Sequence, residues 1–342
     1  MAMQRWMGIA AVAAVLAGGG EAAAQREHRS ETTHIITDDN GRRMERRFSG
    51  VIEVRQDGRA VARMGAGARL TIEEARPGQP ERRMELRPDG DGRVRTLYYE
   101  GGERADPDAG DRAWMERMIV DAVRENGLGA EQRIRSIRRT QGVDGVLREI
   151  ERAGSDGARR GYYRMLMESG MREEETARTL RHLGRHLRSD GEKRAALASV
   201  LDRPSISAVE VAAMLDAAAT IGSDGEAASL LARVAREEPL ADTRAREAFF
   251  RAVEGIDSDG ETARVLTEVL RRPEARDDVV RAAIGATEAI GSDGERARVL
   301  VAVPDRSLRS SAVRAAVRDA LAGMGSDGER QRVERRLARV QS

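Results

Sequence analysis

Two histidines four residues apart, His182 and His186, are the first residues whose types and spacing could do chemistry, because at that spacing both rings leave one helix face as a zinc pair does. A zinc site needs a third protein ligand. The other histidines, His28 and His34, lie far off in a polar leading segment, and Glu173, Glu174 and Glu175 sit two turns back along the same helix. The pair therefore reads as solvated or groove-lining. Asp89-Gly90-Asp91-Gly92 alternates carboxylates as the start of an EF-hand does, yet Arg93 stands where the third oxygen ligand belongs. It reads as an Asp-Gly hairpin turn. Six serines recur in Ser-Asp-Gly, but none sits in a Gly-x-Ser-x-Gly elbow, and a hydroxyl committed to a helix cap is not activated by a base. Six aspartates in register would stand about 10 Å apart, the helix-packing distance, whereas a calcium ion needs its oxygens at about 2.4 Å. No catalytic residue, metal-ligand set or cofactor emerges.

The remaining candidates are partner contacts. Arg178, Arg181, Arg185 and Arg188 form a basic stripe, which beside Glu173 to Glu175 reads first as a salt-bridged wet face and second as an anion site. Tyr162 and Tyr163 read as packing residues and, where exposed, as an anchor for a partner. The residues assigned to partner contact are thus Tyr162, Tyr163, Arg178, Arg181, His182, Arg185 and His186.

The elements that must position these residues are written in a repeat. Ser-Asp-Gly begins at Ser155, Ser189, Ser223, Ser258, Ser292 and Ser326, a spacing of 34 or 35 residues that marks stacked supersecondary units. Glutamate follows the glycine in all but the first, as Glu192, Glu226, Glu261, Glu295 and Glu329, which makes Ser-x-x-Glu a capping box. The aspartate then lies in the first helical turn, where the dipole favours it. Gly154, Gly222, Gly291 and Gly325 precede four of the serines and are expected to end the previous helix in the left-handed conformation. Apolar residues recur at helical spacing on both sides of each motif, and Pro204, Pro239, Pro273 and Pro304 end the second stretch. Stacked helical hairpins, an α-solenoid of HEAT-like repeats, follow. The last motif starts a single helix whose Arg330, Arg332, Arg335, Arg336 and Arg339 keep an outer face wet.

Ahead of the repeats, Gly50-Val51-Ile52-Glu53-Val54, Arg69-Leu70-Thr71-Ile72-Glu73 and Arg93 to Tyr99 alternate apolar with polar residues between Gly-rich turns, as in an antiparallel sheet with one buried face. Trp114, Met118, Ile119 and Val123 on a following helix are its lid. The fold class is α+β, a small antiparallel β domain followed by the α-solenoid. The expected segments are a signal peptide over 1–24, the β domain over 25–110, a helical linker or lid over 111–154 and the repeats over 155–342. The signal reading rests on Arg5, an apolar run from Trp6 to Ala17 too short to span a bilayer, and small residues at Ala22 and Ala24. The chain has 342 residues and no cysteine, which excludes disulfide scaffolds, thiolate zinc and thiol nucleophiles. A net charge of +1 with 34% charged residues argues against a nucleic-acid stripe. Lys193 is the only lysine, so the basic residues are otherwise all arginine.

The stretches Gly50 to Glu74, Arg82-Arg83-Met84-Glu85-Leu86, Leu97-Tyr98-Tyr99-Glu100-Gly101 and Trp114 through Gly127-Leu128-Gly129 to Ile150, with the Ser-Asp-x-Glu units, resemble the extracytoplasmic C-terminal regions of BlaR/MecR-type membrane metallopeptidases and related secreted proteins. That family's His-Glu-x-x-His zinc motif is missing, so no peptidase activity is carried over. The resemblance implies an envelope-exposed accessory or sensing module. The resulting expectation is a non-enzymatic periplasmic or secreted scaffold that binds a protein partner of the envelope, with no nucleic acid and no stable membrane insertion after signal cleavage. The alternatives are a sensing or regulatory module for a membrane partner and, more remotely, a hydrolase.

Overall fold

The computed structural model describes residues 32–37, 41–55 and 57–341; the expected signal peptide and His28 lie outside the described residues. The chain divides after Tyr162 into two compact units.

Among the described residues the first unit has eight strands: β1 (Thr32–Thr37), β2 (Arg43–Ser49), β3 (Ile52–Val54), β4 (Val61–Met64), β5 (Arg69–Ala75), β6 (Arg82–Pro88), β7 (Val94–Glu100) and β8 (Glu103–Arg104). Six pair antiparallel in the order β1-β2-β5-β6-β7-β8, and β3 pairs with β4 as a separate bulged ribbon. The β6–β7 turn is the expected Asp-Gly turn. Asp89 Oδ1 accepts from the backbone N–H groups of Asp91 (3.1 Å) and Arg93 (2.7 Å), so that carboxylate serves the turn.

Two strands, β1 and β2, escape a reading by alternation. In β2 the charged run Arg43-Met44-Glu45-Arg46-Arg47 looks like a solvated segment, yet Met44 and Arg46 are its buried residues. Arg46 is tolerated inside because its guanidinium donates to Glu125 (2.8 Å) and to Asn126 Oδ1 (2.7 Å). Those partners belong to α1 (Ala109–Asn126), which Asp108 and Asp111 start as a reciprocal capping box and Gly127 ends at φ 69°. Trp114, Met118, Ile119 and Val123 of α1 join Leu70, Ile72, Met84 and Tyr98 in one apolar core. The indole N–H of Trp114 donates to Glu74 Oε2 (2.8 Å), and the Tyr98 hydroxyl donates to Asp111 (2.8 Å). Then follows α2 (Ala130–Glu151), interrupted at Gly142, whose φ of 68° and ψ of −165° only glycine adopts readily.

The helix α3 (Asp156–Glu168) starts at the first Ser-Asp-Gly motif and runs across the division. The second unit continues with α4 (Glu173–His186), α5 (Asp190–Leu201), α6 (Ala208–Ala218), α7 (Asp224–Glu237), α8 (Thr243–Glu254), α9 (Asp259–Arg271), α10 (Asp277–Gly285), a 3-10 turn over Ala286–Ala289, α11 (Asp293–Val301), the one-turn α12 (Asp305–Leu308), α13 (Ser311–Ala322) and α14 (Asp327–Gln341). Every Ser-Asp-Gly aspartate is the first residue of a helix. The motif helices pack in the sequence α5-α7-α9-α11-α14, while α4 packs on α6, α6 on α8, and α10 on α13.

The motif works differently from a plain capping box. The serine oxygens of Ser189, Ser258, Ser292 and Ser326 receive the expected N–H groups at 3.4 Å, which is long for such a bond, and Ser223 makes no side-chain cap. The shorter bonds run from one motif to the next. Asp259 accepts from the backbone N–H groups of Gly291 (2.9 Å) and Ser292 (2.8 Å), Asp293 from those of Gly325 (2.9 Å) and Ser326 (2.7 Å), and Asp224 from that of Asp257 (3.2 Å). With the Ser292 and Ser326 N–H groups taken by these carboxylates, the glutamates turn instead to arginines of their own helices. Glu261 pairs with Arg264, Glu295 with Arg298, and Glu329 with Arg332.

The glycines before the serines also depart from expectation, since none of Gly154, Gly222, Gly291 and Gly325 is left-handed. The preceding helices instead close on tight bonds such as Ile290 N–H to Thr287 O (3.0 Å) and Met324 N–H to Leu321 O (3.1 Å). The terminal arginines are not all wet either, because Arg330 donates to the Met324 carbonyl (2.8 Å).

Asp259 uses both carboxylate oxygens and Asp293 only one, which separates their amides. Asp259→Asn presents an NH2 to a backbone donor and is expected to cost about 1–3 kcal/mol in urea unfolding, whereas Asp293→Asn keeps its single acceptor and costs less. A pH dependence follows from Glu74. Burial pushes its carboxyl up, but hydrogen bonds and charge from Arg76 and Arg42 outweigh burial and hold it below the ordinary 4.5. A depressed folded-state value means stability present above the unfolded value and lost as pH falls through the folded one, so stability should decline below about pH 4.5. Glu74→Gln should flatten that decline in thermal melts.

Candidate functional site

The residues assigned to partner contact sit on two helices, and the structure sorts them by burial. Tyr162 and Tyr163 of α3 are 2% and 0% exposed, so neither serves as a surface anchor, and the pair belongs to packing. Large rings at the middle of an amphipathic helix fill the core of a chain whose aromatics make up only 3% of its residues.

Arg178, Arg181 and Arg185 lie on α4, and Arg188 lies just after it. The first turn of α4 is closed by Glu175, whose carboxylate accepts the Arg172 backbone N–H (3.0 Å) and also pairs with the Arg172 guanidinium (3.1 Å). Thr176, Ala177, Thr179, Leu180, Leu183 and Gly184 form its buried side. Gly184 lets α6 approach closely, since a Cβ there would stand 3.0 Å from the Ala217 Cα. Thr220 of the following turn donates its hydroxyl to the Gly184 carbonyl (3.0 Å). With that side fixed, Arg178, Arg181, Arg185 and Arg188 fall on the exposed side.

The expected salt-bridged face is not what forms around Arg181 and Arg185. Glu175 is held by Arg172, and neither Arg181 nor Arg185 has a hydrogen-bond or ion-pair partner among the described residues. Two like charges four residues apart on a helix repel, so they persist at a small cost to the helix. Beside them His182 is 6% exposed, with Nδ1 2.6 Å from the Tyr163 hydroxyl, and His186 stacks on it with ring centroids 4.0 Å apart. His182 is therefore a hydrogen-bonded, packed ring and His186 a half-buried one, against the reading of a solvated pair. The arrangement offers donors and positive charge to an acidic surface.

Sequence reasoning missed a cleft in the first unit. Arg133 and Arg152 flank the buried carboxylate of Glu149, with Nε to Oε1 2.7 Å and Nη1 to Oε2 3.5 Å. The break at Gly142 is the one signal that could have suggested it, because a glycine inside a helical pattern marks a bend. A shallower groove of the second unit is lined by Phe250 of α8 and Ala282 of α10 among charged residues.

Comparison of the chain with known protein families, with characterised proteins and with solved structures finds no match. None of these comparisons links the chain to BlaR/MecR-type proteins.

If the α4 arginines are not structural, Arg181→Ala with Arg185→Ala should change unfolding free energy by no more than about 0.5 kcal/mol. Tyr163→Phe, which removes the hydroxyl from buried His182, should cost about 1 kcal/mol or more in the same urea titration.

Proposed function

We propose that this protein is a non-enzymatic interaction scaffold of the bacterial cell envelope, periplasmic or secreted, whose helical body is an α-solenoid of HEAT-like hairpins. The observation that carries the reading is the exposed face of α4, where Arg181 and Arg185 stand without a carboxylate among the described residues. Unpaired guanidinium groups on a rigid helix suit an acidic stretch of polypeptide, which they hold by bidentate bonds and attract at a distance. The solenoid reading is supported by the sequential packing of the motif helices and by the carboxylate bonds linking one motif to the next. The envelope location rests on the signal-like N-terminus. Among the described residues no helix is long and apolar enough to cross a membrane.

A second reading, a sensing module for a membrane partner, is favoured by the motif resemblance and by the cleft at Glu149. A hydrolase would need two carboxylates in one cleft with values pushed apart. Among the described residues, Asp121 is held above the ordinary carboxylate range by burial and by Glu125, and Glu238 by burial and by Glu237 against the pull of Arg272. They belong to different units and line none of the clefts described.

The sole lysine is no handle for amine-reactive reagents, since Lys193 is 7% exposed with Nζ on the Thr220 carbonyl (2.6 Å). The test is therefore a photoreactive amino acid at position 178, irradiated in cells. The expected outcome is one reproducible envelope partner, crosslinked through an acidic segment and lost in the Arg181→Glu/Arg185→Glu variant. Self-links only, or a partner indifferent to charge reversal, would reject the α4 face.

A further inference from the structure

In the first unit, two openings adjoin at one buried ion pair. Glu149 is 8% exposed and accepts from Arg133 Nε (2.7 Å), while Arg133 Nη1 also reaches the Arg55 carbonyl (3.4 Å) and Arg152 leans on the other carboxylate oxygen (3.5 Å). Arg133, Glu149 and Arg152 line both a cleft of about 580 Å³ and a smaller one of about 290 Å³. The larger runs along Gln132, Ser136 and Thr140, spaced by four on one side of α2. The smaller has an apolar wall of Val120, Val123 and Ala153.

Tyr162 closes the smaller cleft. The residue is 2% exposed, and its hydroxyl makes no hydrogen bond to protein among the described residues but is not sealed from solvent. A hydroxyl that no protein group claims is free to donate to a molecule in the cleft. Burial first, and the nearby charge of Glu149 second, push the tyrosine up to about 12, with Arg133 opposing. The group therefore stays an O–H donor at neutral pH. Around it the charges nearly cancel. Arg133 neutralises Glu149, and Arg124 balances Asp57 in the count of lining charges. Arg152, 74% exposed at its side chain, remains as one positive charge in excess.

One positive charge in excess, one hydroxyl donor without a protein partner and an apolar wall are the complement of an amphiphilic monoanion. We propose that the cleft between α1 and α2 binds a small organic carboxylate, with its oxygens on the Tyr162 hydroxyl and the Arg152 guanidinium and its hydrocarbon portion against Val120, Val123 and Ala153. A dianion such as phosphate is disfavoured, because Glu149 repels the second charge and the wall offers it nothing polar. This inference stands apart from the α4 face and survives if that reading fails.

The test is a titration of the full chain, labelled with 13C at valine methyls, with hexanoate, hexanamide and inorganic phosphate. Hexanoate should shift the Val120 and Val123 methyl signals saturably, and hexanamide and phosphate should not. Tyr162→Phe, which keeps the ring, should weaken hexanoate about tenfold, the worth of a hydrogen bond to a charged group. Arg152→Gln alters an exposed side chain and should abolish saturation while leaving the melting curve in place. Absence of saturable shifts at those valines, equal shifts with hexanamide or phosphate, or undiminished binding in both variants would overturn the proposal.

Discussion

The bond on which the helical unit depends is the one from a motif aspartate to the backbone at the next motif, made by Asp224, Asp259 and Asp293. Helix-start N–H groups have no partner within their own helix, and here the carboxylate of a neighbouring helix fills that role, as Asp293 does for Gly325 and Ser326. The bond combines a charge-assisted hydrogen bond with two helix dipoles, because the carboxylate sits in the first turn of one helix and at the start of the next. At 2.7 to 2.9 Å for Asp259 and Asp293 it is the stronger contact at each junction, against serine caps at 3.4 Å. It also fixes register. The packed faces of these helices are rich in alanine and valine, as in Ala227, Ala228, Ala232 and Ala235 of α7, and such smooth faces can slide where aromatics would interlock. A polar bond of fixed length at one end removes that freedom.

The opposite ends of the same helices are tied by arginine. Arg233 donates to the Ala198 carbonyl (3.0 Å), Arg272 to that of Arg236 (2.7 Å) and Arg306 to that of Arg272 (2.7 Å). A cation at a helix C-terminus satisfies orphan carbonyls and complements the dipole, so acidic and basic groups divide the two ends by physical necessity. The position four residues after Ser189 and after Ser292 adds a third tie. Lys193 and Arg296 are both buried there with their charged ends on backbone carbonyls, the latter on Thr287, Glu288, Ile290 and Gly323. In the first unit Glu74 plays the corresponding part, holding the Trp114 indole while Arg42 and Arg76 neutralise it. A chain poor in large rings thus places a polar bond at each junction of its elements.

What was legible in the sequence was whatever rests on local chemistry. Ser-Asp-Gly places helix starts because a short polar side chain and an early carboxylate favour that position in any context, and α5, α7, α9, α11 and α14 begin there. The strands around Ile52, Leu70 and Tyr98 are legible for the same reason, since alternation is local. The partner of a side chain is not. The motif glutamate was read as returning to its own serine, but that N–H belongs to an aspartate 33 residues earlier at Ser292 and Ser326. Strand β2 was hidden because an inward Arg46 is intelligible only once Glu125 and Asn126, on another element, are beside it. The cleft at Glu149 was hidden likewise, because the ion pair with Arg133 depends on a break at Gly142 whose direction no periodicity shows.

The same distinction decides how the arginines are to be understood. As a class they look like a solvated coat, in keeping with a net charge of +1. Place by place they divide. Arg272, Arg296 and Arg306 end on carbonyl oxygens, and to remove any of them is to take a donor away from carbonyls at helix ends. Arg181 and Arg185 end in solvent, four residues apart, in a repulsion that the fold gains nothing by keeping. Arg152 is intermediate, sharing a carboxylate that Arg133 already neutralises and leaving charge over at a hydroxyl without a partner. Charge that costs the fold free energy without tying an element down is better explained by what it meets outside the chain. On that ground the α4 face and the Tyr162 cleft, rather than the conspicuous repeated serines and aspartates, are where function is to be sought.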